Sequence, residues 1–151
     1  MLLQEKKPPT GNGEASESLA QALPLISAKY LCTPSVSQRE YEAHSNESLE
    51  KMYSYFDTFP EKFEVAKEYD VNCSMGVLTV VVDSKIGTYV INKQSPNQQI
   101  WLSSPCSGPK RYDLVNNRWY YSRDDETLDQ LLSREFRKIY GSDDIDFSKH
   151  I

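Results

Sequence analysis

The chain has 151 residues, 38% hydrophobic and 26% charged, with a net charge of −5, so it is one domain's worth of sequence with room for a single sizeable core. No apolar run approaches the ~20 residues that a membrane-spanning helix needs. The three cysteines, Cys32, Cys73 and Cys106, lie far apart with no Cys-x-x-Cys pair, which excludes a disulfide framework and a zinc site and suits a reducing compartment.

Residues 1–37 show no sustained period and carry Pro8, Pro9, Pro24, Pro34 and the Gly11-Asn12-Gly13 run, so they read as a disordered arm or a targeting segment. The arm has no Arg and includes Glu5, Glu14 and Glu17, which is unlike an Arg-rich mitochondrial presequence. The folded domain is expected over residues 38–151. Ser37 and Glu40 have the spacing of a capping box, and a helical pattern follows to Phe59, with Tyr41, Leu49, Met52, Phe56 and Phe59 gathered on one side. Pro60 ends or kinks it. Glu40, Glu47, Glu50 and Asp57 centre opposite the apolar stripe, Glu42 adds a fifth carboxylate, and Glu61, Glu64, Glu68 and Asp70 continue the acidity. The helix presents an acidic ridge.

Strand signals come next. Asp70–Asp83 divides around Met75-Gly76, with Val77–Val82 as its apolar half; Thr88–Asn92 and Gln99–Ser103 form a hairpin about Pro96-Asn97. Lys110–Asp113 and Arg118–Ser122 follow, joined by an Asn116-Asn117 turn. Connections this short make an antiparallel meander. The last helix is expected to start near Asp124 and Asp125, to bury Leu128, Leu131, Leu132, Phe136 and Ile139, and to end at Gly141. Helix, consecutive strands and helix give an α+β two-layer sandwich, with both helices packed on one face of the sheet.

The other face is then open. Alternation puts Ile100 and Leu102 on one side and Gln99, Trp101 and Ser103 on the other, so a large indole sits among polar groups. Asn92, Lys93, Gln94, Asn97, Lys110 and Arg111 are grouped with Gln99 and Trp101 as a partner-binding surface of amides, cations and one aromatic. Charge divides along the chain as well: residues 38–70 hold nine acids and four bases, residues 84–123 six bases and one acid. Such polarity orients partners.

Of catalytic chemistry there is little. No nucleophile with an adjacent base, Gly-rich cofactor loop or P-loop is present. Clustered carboxylates are hard oxygen ligands suited to Fe²⁺, Mn²⁺, Mg²⁺ or Ca²⁺, and His44 is the one histidine in the helix. Cys106 lies in a Ser-Pro-Cys-Ser-Gly loop close to Lys110 and Arg111, a charge setting associated with reactive thiols.

The run NKQSPNQQIWLSSP, residues 92–105, followed by SGPKRYD, residues 107–113, resembles the signature of the frataxins, mitochondrial proteins of iron-sulfur cluster assembly. The resemblance extends from about Tyr41 to about Tyr140. It implies the same sandwich fold, a mitochondrial matrix location, and weakly bound Fe²⁺ or Fe³⁺ on Glu40, Glu42, Glu47, Glu50, Asp57 and Glu61. It also implies docking on a complex of cysteine desulfurase and scaffold protein to promote sulfur transfer and deliver iron. A ferroxidase activity, oxidation of Fe²⁺ by O₂, and a monomer or iron-dependent oligomer are implied in the same way. Asn46, Ser54 and Thr58 stand where related chains tend to carry acids, so the ridge is thinner than in many of them. Two rival readings remain: a module for single-stranded nucleic acid built on the basic, aromatic sheet face, and a ferroxidase or iron store acting alone.

Overall fold

In the computed structural model, residues 35–151 are described; the arm expected over residues 1–37 lies outside them except for its last three positions. Ser37 caps the first helix, α1 (Gln38–Asp57). Its Oγ accepts the Glu40 amide at 3.2 Å, and the Glu40 carboxylate accepts the Ser37 amide at 2.9 Å, which satisfies two of the orphan donors at the helix start. Pro60 does not kink α1. The helix stops at Asp57, and Pro60 falls in the first turn of a one-turn helix, α2 (Phe59–Lys62), where a missing N–H removes no intrahelical bond.

Six strands follow: β1 (Asp70–Ser74), β2 (Val77–Asp83), β3 (Gly87–Gln94), β4 (Gln99–Ser104), β5 (Gly108–Val115) and β6 (Arg118–Tyr121). They pair in chain order, each antiparallel to the next. Met75-Gly76 and Asn116-Asn117 supply the left-handed backbone that two-residue hairpin turns require, with φ of 54° and 76° in the first and 50° and 61° in the second. The β3–β4 link is a short 3₁₀ turn, Ser95–Asn97, closed by Gln98 at φ 51°. Alternation then settles the faces, and Leu78, Val80, Val82, Tyr89, Ile91, Ile100, Leu102 and Tyr112 are buried beneath the helices.

The last helix, α3 (Leu128–Tyr140), starts later than its acids suggest. Asp124 lies in a turn, Asp125 follows it with φ of 56°, and Thr127 then pairs back on Tyr120 across an isolated bridge, so the helix cannot begin at the acids. Thr127 is the cap, and its amide donates to the Gln130 side chain at 3.0 Å. The segment after α3 is part of the core. Ile145 and Phe147 are fully buried, the Phe147 amide donates to Ser133 Oγ at 2.9 Å, and Arg137 Nε donates to the Ile145 carbonyl at 2.6 Å. His150 stacks flat on Tyr55 of α1 at 3.9 Å. The tail therefore joins α1 to α3.

Candidate functional site

The uncovered sheet face is organised by register. Asn92 of β3 pairs with Trp101 of β4, and Trp101 with Arg111 of β5, so the three side chains form one row across three strands. The Arg111 guanidinium lies over the indole at 4.6 Å, a cation–π contact. The Trp101 Nε1 donates to Gln99 Oε1 at 2.9 Å, and Gln99 Nε2 donates to Asp113 Oδ1 at 2.9 Å. Asn92 Nδ2 reaches Gln94 Oε1 at 3.5 Å. The indole is thus fixed in orientation while only half-buried.

Two of the residues grouped with this surface are not on it. Lys93 pairs with Ile100, and Lys110 with Leu102; both partners point into the core, so both lysines project on the helix side. Lys93 Nζ binds Glu42 at 2.6 Å and Asn46 at 2.9 Å. Lys110 Nζ binds Asp124 at 2.6 Å and lies 4.9 Å over the Tyr121 ring. Asn97 is exposed in the 3₁₀ turn at the end of the hairpin, beyond the ladder. The row itself consists of Asn92, Trp101 and Arg111, with Gln94, Gln99 and Asp113 beside it.

On α1 the carboxylates fall into two groups. Glu40 is engaged by Ser37, whose hydrogen bonds hold it below the usual glutamate range. Glu42 is lowered by its bond to Lys93, and Glu47 by Lys51, which binds it at 2.6 Å. Glu50 and Asp57, and Glu61 just beyond in α2, are exposed and make no ion pair or side-chain hydrogen bond among the described residues. Among those residues no three His, Cys, Asp or Glu side chains converge in a way that would hold a metal ion. A hard cation at Glu50 or Asp57 would meet fewer than three carboxylates and keep most of its water.

The loop between β4 and β5 holds a feature that the sequence reading missed. Glu135 of α3 is only 4% exposed, and its Oε2 accepts Tyr89 Oη at 2.7 Å and Ser104 Oγ at 2.6 Å. Cys106 is exposed, and its Sγ stands 3.4 Å from Tyr89 Oη. Its nearby cations are not Lys110 and Arg111, which are engaged elsewhere, but Arg134 and Lys138 of α3, which line the same pocket. A signal existed: position 135 falls among Leu131, Leu132, Phe136 and Ile139, so a charge is placed on the helix's apolar stripe.

A family profile described as the frataxin-like domain matches residues 34–142. The chain belongs to the frataxin family. It is 58% identical to mitochondrial frataxin of Caenorhabditis elegans over 116 residues, 76% of this chain and 85% of the worm protein. With the mitochondrial frataxin homolog of Drosophila melanogaster it shares 40% identity, over 82% of this chain and 67% of the fly protein. Among solved structures, a yeast frataxin is similar at 30% identity and a TM-score of 0.59, covering 87% of this chain and 95% of that one. A trimeric frataxin from Saccharomyces cerevisiae, crystallised in complex with ferrous ion, is similar at 33% identity and a TM-score of 0.53, covering 84% of this chain and 98% of that one. The frataxin fold expected from the sequence is the fold observed, and the protein is mitochondrial, as these relatives are named. Among the described residues no helix is long and apolar enough to cross a membrane.

Proposed function

We propose that this protein is an accessory of iron-sulfur cluster assembly: its open sheet face docks on a complex of cysteine desulfurase and scaffold protein and promotes sulfur transfer, while the α1 ridge carries Fe²⁺ weakly as cargo. The observation that carries the reading is the Asn92–Trp101–Arg111 row. A half-buried indole already oriented by Gln99 and Arg111 loses little rotamer freedom on binding, which is what makes a side chain effective as an anchor. Amides and the guanidinium around it provide a polar rim.

For iron, support comes from the ferrous complex of the yeast relative and from Glu50, Asp57 and Glu61, which are exposed and unpaired among the described residues. Open carboxylates bind and release a hydrated dication readily, which favours delivery over storage. Ferroxidase chemistry and an iron-dependent oligomer belong to the same proposal as secondary roles of the ridge. The test is a reconstitution in which desulfurase turnover and cluster formation on the scaffold are followed with and without this protein, and with and without Fe²⁺. Stimulation that depends on the open face is the expected result. No association with the desulfurase complex at micromolar concentrations, in either iron condition, would reject the docking role.

A further inference from the structure

Beside α3, on the opposite side of the molecule's chemistry from the Trp101 row, Ile86, Cys106, Ser107, Arg134, Glu135, Lys138 and Ile139 surround a pocket of ≈ 450 Å³. Three features combine there. The thiol of Cys106 is exposed at its mouth. Behind it the Tyr89 hydroxyl lies 3.4 Å from the sulfur and 2.7 Å from Glu135 Oε2, linking a nucleophile to a carboxylate through one phenol. Ser104 Oγ donates to the same carboxylate oxygen and accepts the amides of Cys106 and Ser107 at 3.0 Å each, which fixes the loop that carries the thiol.

The other oxygen of that carboxylate points to a ligand. Glu135 is 4% exposed, and its Oε1 has no hydrogen-bond partner among the described residues. A buried carboxylate oxygen left without a donor is costly, and native structures rarely keep one without a use. An ammonium or N–H group entering the pocket would satisfy it. At the rim Lys138 makes no ion pair among the described residues, whereas Arg134 is already engaged by Glu126 at 2.9 Å. One buried acceptor and one free cation therefore frame an exposed sulfur. That is the complement of an amino-acid end, ammonium inward and carboxylate outward, attached to a sulfur.

We propose that Cys106 is a thiol-modification site that forms a mixed disulfide with a low-molecular-weight disulfide bearing zwitterionic amino-acid ends. In the step, the Cys106 proton passes to Tyr89 as the phenol gives its own to Glu135. The thiolate sulfur attacks one sulfur of the small disulfide, and that S–S bond breaks as the new one forms. The departing thiolate takes up the proton released through Glu135, leaving one free small thiol. The incoming disulfide is the only oxidant. Burial, with the hydrogen bonds to Cys106 and Glu135, raises the Tyr89 phenol well above the tyrosine range, so it relays a proton without itself ionising. The charged or titratable groups around the sulfur are Tyr89 from β3 and Arg134, Glu135 and Lys138 from α3.

The full chain is treated with glutathione disulfide, which has zwitterionic ends, and separately with uncharged hydroxyethyl disulfide; peptide mass mapping separates Cys32, Cys73 and Cys106. Expected are one adduct on Cys106, absent in Cys106→Ser, and a preference for glutathione disulfide relative to an unstructured reference thiol. Lys138→Glu, on the exposed surface, lowers the glutathione disulfide rate by about threefold to fivefold and leaves the uncharged reagent unaffected. Tyr89→Phe, which keeps the ring in the core, slows the reaction with both reagents by about tenfold. If Tyr89→Phe does not fold, reagent preference and Lys138→Glu decide. The proposal is overturned by modification at Cys73 or Cys32 with Cys106 untouched. It is equally overturned by a Cys106 that reacts with both reagents as the reference thiol does.

Discussion

Trp101 owes its orientation to a guanidinium on one side and a glutamine carbonyl at its edge, and neither contact reaches the core. Truncating it to Ala removes a ring whose neighbours Ile100 and Leu102 remain packed beneath the helices. The thermal midpoint should fall little, by the equivalent of about 1 kcal/mol or less for a surface position. Stimulation of the desulfurase complex should fall sharply, since aromatic anchors cost about 2 kcal/mol or more when truncated at an interface. A Trp101→Ala protein with full stimulation would remove this side chain from the docking surface. Residue-level chemistry also separates the acids of α1. Fe²⁺ followed by NMR should perturb Glu50 and Asp57 first, with Glu47 responding more once Lys51→Ala removes its 2.6 Å ion pair. Shifts centred on His44 or Cys106 with a silent ridge would place the cation elsewhere. Trp101's outward position was legible because alternation about Ile100 and Leu102 is a local rule. Lys93 lies between Asn92 and Gln94, and Lys110 is next to Arg111, so the same alternation within each strand sends both lysines to the face opposite those neighbours, and the register, Lys93 opposite Ile100 and Lys110 opposite Leu102, agrees.

Among the elements, the tail after α3 is the one the sequence concealed. Period-based reading needs several turns or several alternations, and the tail offers only Ile145 and Phe147 set among aspartates. Yet Phe147 is fully buried and meets Tyr55, Phe56, Phe59 and Phe136 edge-on or tilted. Phe147→Ala should therefore cost about 3 kcal/mol or more, the range for truncating a buried aromatic, measured as a lowered urea midpoint at unchanged slope. A cost below about 1 kcal/mol would mean that the tail is not docked. His150 adds a pH dependence to the same element. Burial and the charge of Lys62 lower its imidazole from the ordinary histidine value, so the docked tail binds fewer protons than the released one. Its contribution is fully present above the ordinary value of about 6.5 and is lost as pH falls from there through the lowered folded value. Wild type should lose midpoint from pH 7.5 to 5.5 more steeply than His150→Phe, which retains a ring on Tyr55 but cannot charge; parallel curves would show that the stacked histidine does not couple to folding. The start of α3 was misjudged for a different reason. Asp124 and Asp125 look like helix-start acids, but Thr127 with Gln130 gives the better cap, and that Thr-x-x-Gln spacing was in plain view.

For the whole molecule, charge was expected to divide into an acidic helix side and a basic sheet side. Folding blunts that division. Lys93 is drawn to Glu42 and Lys110 to Asp124, both on the helix side, and Arg118 is held by Asp129 at 2.9 Å. Of the other cations in residues 84–123, Arg111 stands at the centre of the open face, Arg123 lines a cavity beside it, and Lys85 is exposed in the β2–β3 turn. A face with so few free cations is a poor track for a polyanion, so single-stranded oligonucleotide should show no salt-dependent retention.

What remains is an acidic ridge on one layer and a structured aromatic row on the other, and the two should act on different rate constants. Long-range attraction from exposed Glu50, Asp57 and Glu61 accelerates encounter with a basic partner surface and is screened beyond ~8 Å at physiological salt, whereas a desolvated anchor acts after contact and sets how long the complex lasts. Replacing Glu50 and Asp57 together by Gln and Asn should lower the association rate with the desulfurase complex several-fold at low salt, with the deficit vanishing as salt rises. Dissociation should be nearly unchanged. Trp101→Ala should do the reverse, raising the dissociation rate by about thirtyfold for a 2 kcal/mol anchor while association stays close to wild type at every salt concentration. Surface-immobilised kinetics at 50 and 300 mM salt would measure both. If the ridge variant instead dissociates faster with an unchanged association rate, the acids lie inside the contact and the steering role is wrong; if Trp101→Ala slows association alone, the row is no anchor.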